Sequence, residues 1–247
     1  MLSINLLEKE VTGDGLATVV SNFFTYLFNS TNPLNQEIER ASEDISSRLT
    51  EYMRKTLSAR YTADESVVGE DVTKVYLNVL NGEASIVAFE TLHLLGSKKS
   101  ETKGYMAVKL DMSKAYDQVE WAFLKAVMAK MNFPDQWINL VLDCISTSNL
   151  SFSLNGMVVY SVSPSRGLRQ GCPLSPYLFL QCAEAFSSLI TKAERNGRVL
   201  GTRCCRGSPL TSHLLFADDS MLFCKASMIS CNKIQEILMV YEGGSGQ

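Results

Sequence analysis

Apolar residues recur at helical spacing from Leu16 to Phe28, where Leu16, Val19, Val20, Phe23, Phe24, Leu27 and Phe28 fall on one stripe, as in an amphipathic helix turned toward a core. Residues 29–70 are polar with mixed charges, broken at Asn32-Pro33, and a helix is expected through Ile38 to Leu57. From Asp71 to Asn81 the residues Val72, Val75, Tyr76 and Val79 share a face that stops at Gly82, and a second helix is expected from Ala84 to Leu95. After the charged run Lys98 to Lys103 the pattern changes. YMAVKLDM, Tyr105 to Met112, reads as a buried strand that ends on an acid, Asp111.

Two helices are expected next. Val119, Phe123, Val127, Met128 and Met131 line one, and Pro134 opens another that carries Trp137, Leu140, Val141 and Cys144. Leu150 to Leu154 and Met157 to Val162 flank Asn155-Gly156, the pair that type I′ hairpin turns favour because both central residues take positive φ. A Gly/Pro/Arg loop from Ser163 to Pro176 leads into a helix with Leu178, Phe179, Cys182, Phe186 and Leu189 inward, ending near Asn196-Gly197. A strand is expected from Val199 to Cys205. HLLFADDSMLFC, His213 to Cys224, is two apolar strands meeting at Asp218-Asp219, and a last helix around Ile234, Ile237 and Leu238 gives way to a soft tail, GGSGQ. This order predicts an α+β fold, a mostly antiparallel sheet with helices on one side.

With 247 residues, 46% of them hydrophobic, the chain is long enough to bury a core in one large or two small domains. Its seven cysteines, an odd number without Cys-x-x-Cys spacing or a nearby histidine, indicate neither a disulfide framework nor a zinc site. The start MLSINLLEKE lacks the basic head and apolar run of a signal peptide, and no stretch reaches the ~18 apolar residues of a membrane span. The expectation is a soluble intracellular protein, nuclear or cytoplasmic, with no membrane partner. A net charge of −3 is opposite to the basic footprint of a domain that grips phosphate backbones.

Candidate chemistry lies at the strand ends. Asp111 sits between Leu110 and Met112, and Asp218-Asp219 interrupts two apolar runs. Carboxylates drawn out of water shift toward the neutral form or find a cation, and several brought together repel unless a metal ion neutralises them. Oxygen ligands suit a hard divalent ion such as Mg²⁺. Singly, each motif has a plainer reading: Asp-Asp is good turn chemistry, and an acid after a strand often caps the next helix.

Three strings, KLDMSKAYDQVEW (Lys109 to Trp121), RGLRQGCPLSPYLF (Arg166 to Phe179) and HLLFADDSMLF (His213 to Phe223), stand in the order and at the spacing of the palm motifs of reverse transcriptases. From Phe23 to Gln247 the chain resembles the reverse transcriptase domain of plant-type non-LTR (LINE-like) retrotransposons. The resemblance implies a polymerase palm over residues 83–247, preceded by a helical remnant of the fingers region over residues 1–82. It implies two-metal nucleotidyl transfer with Mg²⁺, or Mn²⁺ in its place, held by Asp111, Asp218, Asp219 and the backbone carbonyl of Met112. The three aspartates would be the catalytic residues. Tyr116 would lie against the sugar of the incoming nucleotide, and Arg169, Gln170 and Gly171 along the nucleotide and templating base. Arg166 and Arg169 would reach phosphate. The implied partners are an RNA template with a DNA primer, and deoxynucleoside triphosphates. Lys109 and Lys114 are expected to face solvent, His213 to open a strand, Trp121, Phe123 and Trp137 to belong to the core, and Asp117 to be an acid at a helix N-terminus.

Against the family pattern the chain is short. A Pro/Gly-rich segment is missing between Tyr61 and Glu70, fingers strands with their basic residues between Asn81 and His93, and the thumb beyond the last helix. Cys172 stands where relatives commonly carry Asp. The expectation is an internally shortened, C-terminally truncated polymerase domain, impaired or inactive as an isolated chain. The alternative is a non-catalytic remnant acting as a binding or scaffold protein through its open sheet edge. A metal-dependent nuclease would leave Tyr116 and Arg169-Gln170-Gly171 without purpose.

Overall fold

The computed structural model describes residues 22, 24–58, 104–112, 114–154, 157–203, 210–216 and 219–247. The helices expected over 71–81 and 84–95, the turn at Asn155-Gly156, and Asp218 lie outside the described residues. Of the helix expected over 16–28, residues 22 and 24–28 are described and are helical.

The described elements are α1 (Asn35–Ser42), α2 (Glu51–Ser58), β1 (Tyr105–Asp111), α3 (Trp121–Lys130), α4 (Asp135–Ser146), β2 (Leu150–Leu154), β3 (Met157–Val162), α5 (Ser175–Arg195), β4 (Thr202–Arg203), β5 (Leu210–Thr211), β6 (His213–Phe216), β7 (Asp219–Lys225) and α6 (Met228–Ser245). A three-stranded antiparallel sheet has the order β1-β7-β6, and β2-β3 and β4-β5 form separate two-stranded ladders. The fold is α+β.

β1 is half-buried rather than buried. Met106, Val108 and Leu110 pack on the core while Ala107, Lys109 and Asp111 are exposed, the alternation a strand covered on one face must show. Leu222 and Cys224 of β7 and Leu215 of β6 meet the same core. The helical side contributes Phe123, Leu124, Val127 and Met128 from α3 and Leu178, Phe179, Cys182 and Phe186 from α5, all buried. Tyr241 of α6 joins them, edge-on to Phe123 at 5.9 Å and tilted against Phe186 at 5.0 Å. Each such side chain contributes about 1.5–3 kcal/mol on burial.

Four expectations are corrected. The helix expected from Ile38 to Leu57 is two helices, because the backbone N–H groups of Arg48 and Leu49 donate to the Met131 carbonyl at 3.1 and 3.3 Å. Ser46-Ser47 favours this break, since serine competes for backbone hydrogen bonds. In α4 the buried stripe is Ile138, Val141 and Ile145, whereas Leu140 and Cys144 are exposed. Within the described part of 199–205 only Thr202–Arg203 is strand. The expected soft tail is the last turn of α6 and its cap. A Cβ at Gly244 would stand 2.6 Å from the Ala41 Cβ and 2.9 Å from the Glu37 carbonyl oxygen, so glycine lets α6 approach α1 where a side chain could not fit. Gly246, at φ +79°, ends the helix in the left-handed region.

Candidate active site

Asp111 is the last residue of β1 and is exposed, and its register partner is Asp219, the first residue of β7. Leu110, its neighbour, faces the core, so Asp111 lies on the sheet face turned away from the helices. Phe216 pairs with Asp219 from the other side, at the end of β6. Met112, half-buried, follows directly. The backbone therefore brings positions 111 and 219 together with no help from loops.

Beyond Met112 the chain makes a turn over residues 114–118. Lys114 sits at φ +55°, a left-handed conformation uncommon for a residue with a side chain, and its carbonyl accepts from the N–H of Asp117 at 2.9 Å. Lys114 is half-buried, not simply solvent-facing, and its charge acts on Asp117. The Tyr116 ring stacks on the buried Phe179 of α5, with centroids 4.7 Å apart and planes within 13°. Asp117 does not begin a helix, since α3 starts at Trp121; it is buried in the turn. Burial pushes its carboxyl pKa up, opposed by the Lys114 charge and by a hydrogen bond from Gln170.

The loop that carries Arg169, Gln170 and Gly171 is stitched to this turn. Gly167 N–H donates to the Val119 carbonyl at 2.8 Å, Leu168 N–H to the Tyr116 carbonyl at 2.7 Å, and the Trp121 indole Nε1–H to the Gly167 carbonyl at 2.8 Å. Only glycine fits at 167: its φ is +93°, and a Cβ would stand 2.6 Å from the Asp117 carbonyl oxygen. On the far side the Ser175 hydroxyl donates to the Arg169 carbonyl at 2.7 Å. Between these anchors Arg169, Gln170 and Gly171 are exposed, and nothing lies within 4 Å of a Cβ built on Gly171. The Gln170 amide Nε2 donates to Asp117 Oδ1 and Oδ2 at 3.3 and 3.4 Å.

Arg166 does not reach outward for phosphate. It is buried, with its guanidinium donating to the carbonyls of Leu27 at 2.8 Å and Tyr26 at 3.1 Å and standing 3.4 Å from Glu120 Oε1. Glu120, also buried, accepts from the Ser30 hydroxyl at 2.5 Å, the Thr31 N–H at 2.8 Å and the Thr31 hydroxyl at 2.9 Å. Its own N–H donates to the Ser245 carbonyl at 3.0 Å. Gln247 reinforces the seam, donating from Nε2 to the Ala115 carbonyl at 2.8 Å. Sequence reasoning misses these roles of Glu120, Arg166 and Asp117.

His213 opens β6, with Nε2 2.8 Å from the Ser187 hydroxyl and Nδ1 3.0 Å from the Ser212 hydroxyl. Burial pulls its pKa down to about 4, so it is neutral at pH 7. A cavity of about 360 Å³ between α1, α5 and α6 is lined by Arg40, Asp44, Lys192 and Glu236 among others, with Lys192 and Asp44 paired at 2.9 Å, and none of the residues above line it. Among the described residues no three His, Cys, Asp or Glu side chains converge as a metal cluster, and no helix is long and apolar enough to cross a membrane.

Residues 53–241 match the family described as reverse transcriptase (RNA-dependent DNA polymerase). An uncharacterized mitochondrial protein of Arabidopsis thaliana is 54% identical over 71 residues, which are 29% of this chain and 58% of that protein. A Pol polyprotein from a type-2 retrotransposable element of Drosophila melanogaster is 28% identical over 148 residues, covering 60% of this chain and 13% of the polyprotein. The 149 kDa protein of transposon TX1 from Xenopus laevis is 25% identical over 138 residues, covering 56% of this chain and 10% of that protein. The chain thus spans about half of the first relative and about a tenth of the two transposon proteins. The structure of an apo telomerase from Candida tropicalis, truncated from its C-terminal domain, superposes with a TM-score of 0.50 at 14% identity, covering 93% of this chain and 53% of that one, a likeness of fold. With the family match extending over most of its length, from α2 to α6, the chain belongs to the reverse transcriptases.

Proposed function

We propose that the Asp111 end of the sheet is the nucleotidyl-transfer site of an RNA-directed DNA polymerase, in the palm of a plant-type non-LTR retrotransposon enzyme spanning residues 83–247. The register of β1 on β7 supports this most: Asp111 and Asp219 are paired at the exposed end of the ladder, and directly opposed positions of an antiparallel pair share one face. Asp111, Asp218, Asp219 and the Met112 carbonyl make an all-oxygen donor set, which fits Mg²⁺, with Mn²⁺ in its place. Bound there, the metal supplies activation of a primer 3′-hydroxyl and neutralisation of triphosphate charge.

The chain's own residues do the rest. Asp111 holds its negative charge at a place open to solvent, where ions and triphosphate have access. Tyr116, fixed by its stack on Phe179, walls the sugar of a deoxynucleotide and leaves no room for a ribose 2′-hydroxyl. Arg169 and Gln170, exposed on an anchored loop, lie along the nucleotide and the templating base of an RNA strand, and Gly171 leaves the approach clear.

A second reading, a non-catalytic palm that binds a partner, is favoured by one observation, the net charge of −3, which opposes a grip on phosphate backbones. Primer extension on poly(rA)/oligo(dT) with Mg²⁺ or Mn²⁺ separates the two. Extension that disappears in Asp111→Asn supports the polymerase. No extension from folded wild-type chain supports the second reading.

A further inference from the structure

We propose that Asp117 is a positioning residue that fixes the side-chain amide of Gln170, turning its Oε1 outward as a rigid acceptor toward the nucleotide. This rests on the reading that Gln170 touches nucleotide. An ionised carboxylate accepts hydrogen bonds and donates none, so Gln170 must present its NH₂ to Asp117. Nε2 stands 3.3 and 3.4 Å from the two carboxylate oxygens. The amide oxygen, on the opposite corner of the same planar group, then points away from Asp117.

The surroundings fit a device for holding one side chain. The backbone just before Gln170 is pinned, by Leu168 N–H on the Tyr116 carbonyl and by the Ser175 hydroxyl on the Arg169 carbonyl, and after it Cys172 N–H closes back on the same Arg169 carbonyl at 3.3 Å. Gln170 itself is exposed and, without the carboxylate, would be free to rotate. Gly167 lets the loop lie against the Asp117 carbonyl, and Lys114 takes a strained left-handed conformation to close the turn from which Asp117 projects. Burial disfavours the charged form of Asp117, and the Lys114 charge and the Gln170 hydrogen bond act against that. A residue there only to pack would be better served by an uncharged group of the same size.

The test is calorimetric titration of the full chain with dTTP and Mg²⁺, for wild type, Asp117→Leu, Asp117→Asn, Gln170→Ala and the Asp117→Leu/Gln170→Ala pair. Asp117→Leu should weaken binding about tenfold, the worth of one hydrogen bond, and should cost nothing further in the Gln170→Ala background. Asp117→Asn keeps one acceptor, so it should bind within about threefold of wild type and melt no lower at pH 7. A loss in Asp117→Leu that adds in full to that of Gln170→Ala, or no loss at all, overturns the proposal. The Gln170 side-chain amide resonances, assigned through Gln170→Glu, give a readout independent of nucleotide. They should be immobile in wild type and motionally averaged in Asp117→Leu. Averaged resonances in wild type overturn the positioning role. Immobile resonances with no effect of Gln170→Ala on dTTP leave Asp117 holding Gln170 and overturn its use toward nucleotide.

Discussion

At the end of the β1–β7 ladder Asp111 is exposed and is placed opposite Asp219 by backbone pairing, whereas Tyr116 and Gln170 sit on a turn and a loop joined by hydrogen bonds and backed by the buried Glu120–Arg166 pair. The ladder needs no particular side chain at position 111 to set its register, and an exposed acid is free to meet ions and water. The loop has no such regular pairing. The polar groups of turn and loop must be met by named partners: Ser165 N–H by the Phe28 carbonyl, the Arg166 and Glu120 side chains by Tyr26, Leu27 and Thr31, and the turn backbone at Ala115 and Glu120 by Gln247 and Ser245. Substitutions at the ladder end should therefore change chemistry and spare the fold, and substitutions behind the seam should do the reverse.

The largest effect on stability should come from Arg166→Ala, which leaves Glu120 buried and uncompensated. About 3–5 kcal/mol should be lost, read as a fall in the urea midpoint with the slope unchanged. If Arg166→Ala folds like wild type and loses only affinity for nucleic acid, the buried pair has been misassigned. Asp111→Asn should lower primer extension by about a thousandfold, corresponding to several kcal/mol of charge stabilisation. Its stability should stay within about 0.5 kcal/mol of wild type. A smaller effect is expected at the other anchor of the seam. Gly244→Val, which drives α6 from α1, should cost about 1–3 kcal/mol as overpacking, visible as a lower Tm.

Protonation of His213 gives a graded test. Its folded pKa, about 4, lies below the ordinary 6.5, so the unfolded chain takes up the proton first. Stability is then full above pH 6.5 and is lost as pH falls toward 4. His213→Gln should flatten that part of the Tm profile. An unchanged slope between these pH values would assign the acid sensitivity to other groups.

Local periodicity makes much of this fold legible in the sequence. The alternation along β1, the inward residues of α5 and the pairing of β2 with β3 each depend on near neighbours in the chain. What escapes depends on distant ones. Gly244, in the last turn of α6, disfavours helix by about 1 kcal/mol, and only the surface of α1, some two hundred residues earlier, makes its small size an advantage. The break before α2 needs the Met131 carbonyl. Arg166 reads as a phosphate ligand because a basic residue in a polar loop is usually exposed, and its carbonyl and carboxylate partners lie far off in Tyr26, Leu27 and Glu120. Asp117 reads as a helix-start acid because nothing local shows that α3 begins at Trp121. The acids at the strand ends are visible as types in place. That Asp111 pairs with Asp219 is a matter of register, which one residue of slip would have changed.

A divalent metal held with a nucleotide at the Asp111 end of the ladder is what every functional assignment above depends on. Mn²⁺ titration followed by electron paramagnetic resonance, with dTTP present, reads it in wild type and Asp111→Asn at matched folding. Mn²⁺ should be bound by wild type and released in the variant, with equal melting temperatures. Equal Mn²⁺ binding by both proteins, or none by folded wild type, would contradict the assignment.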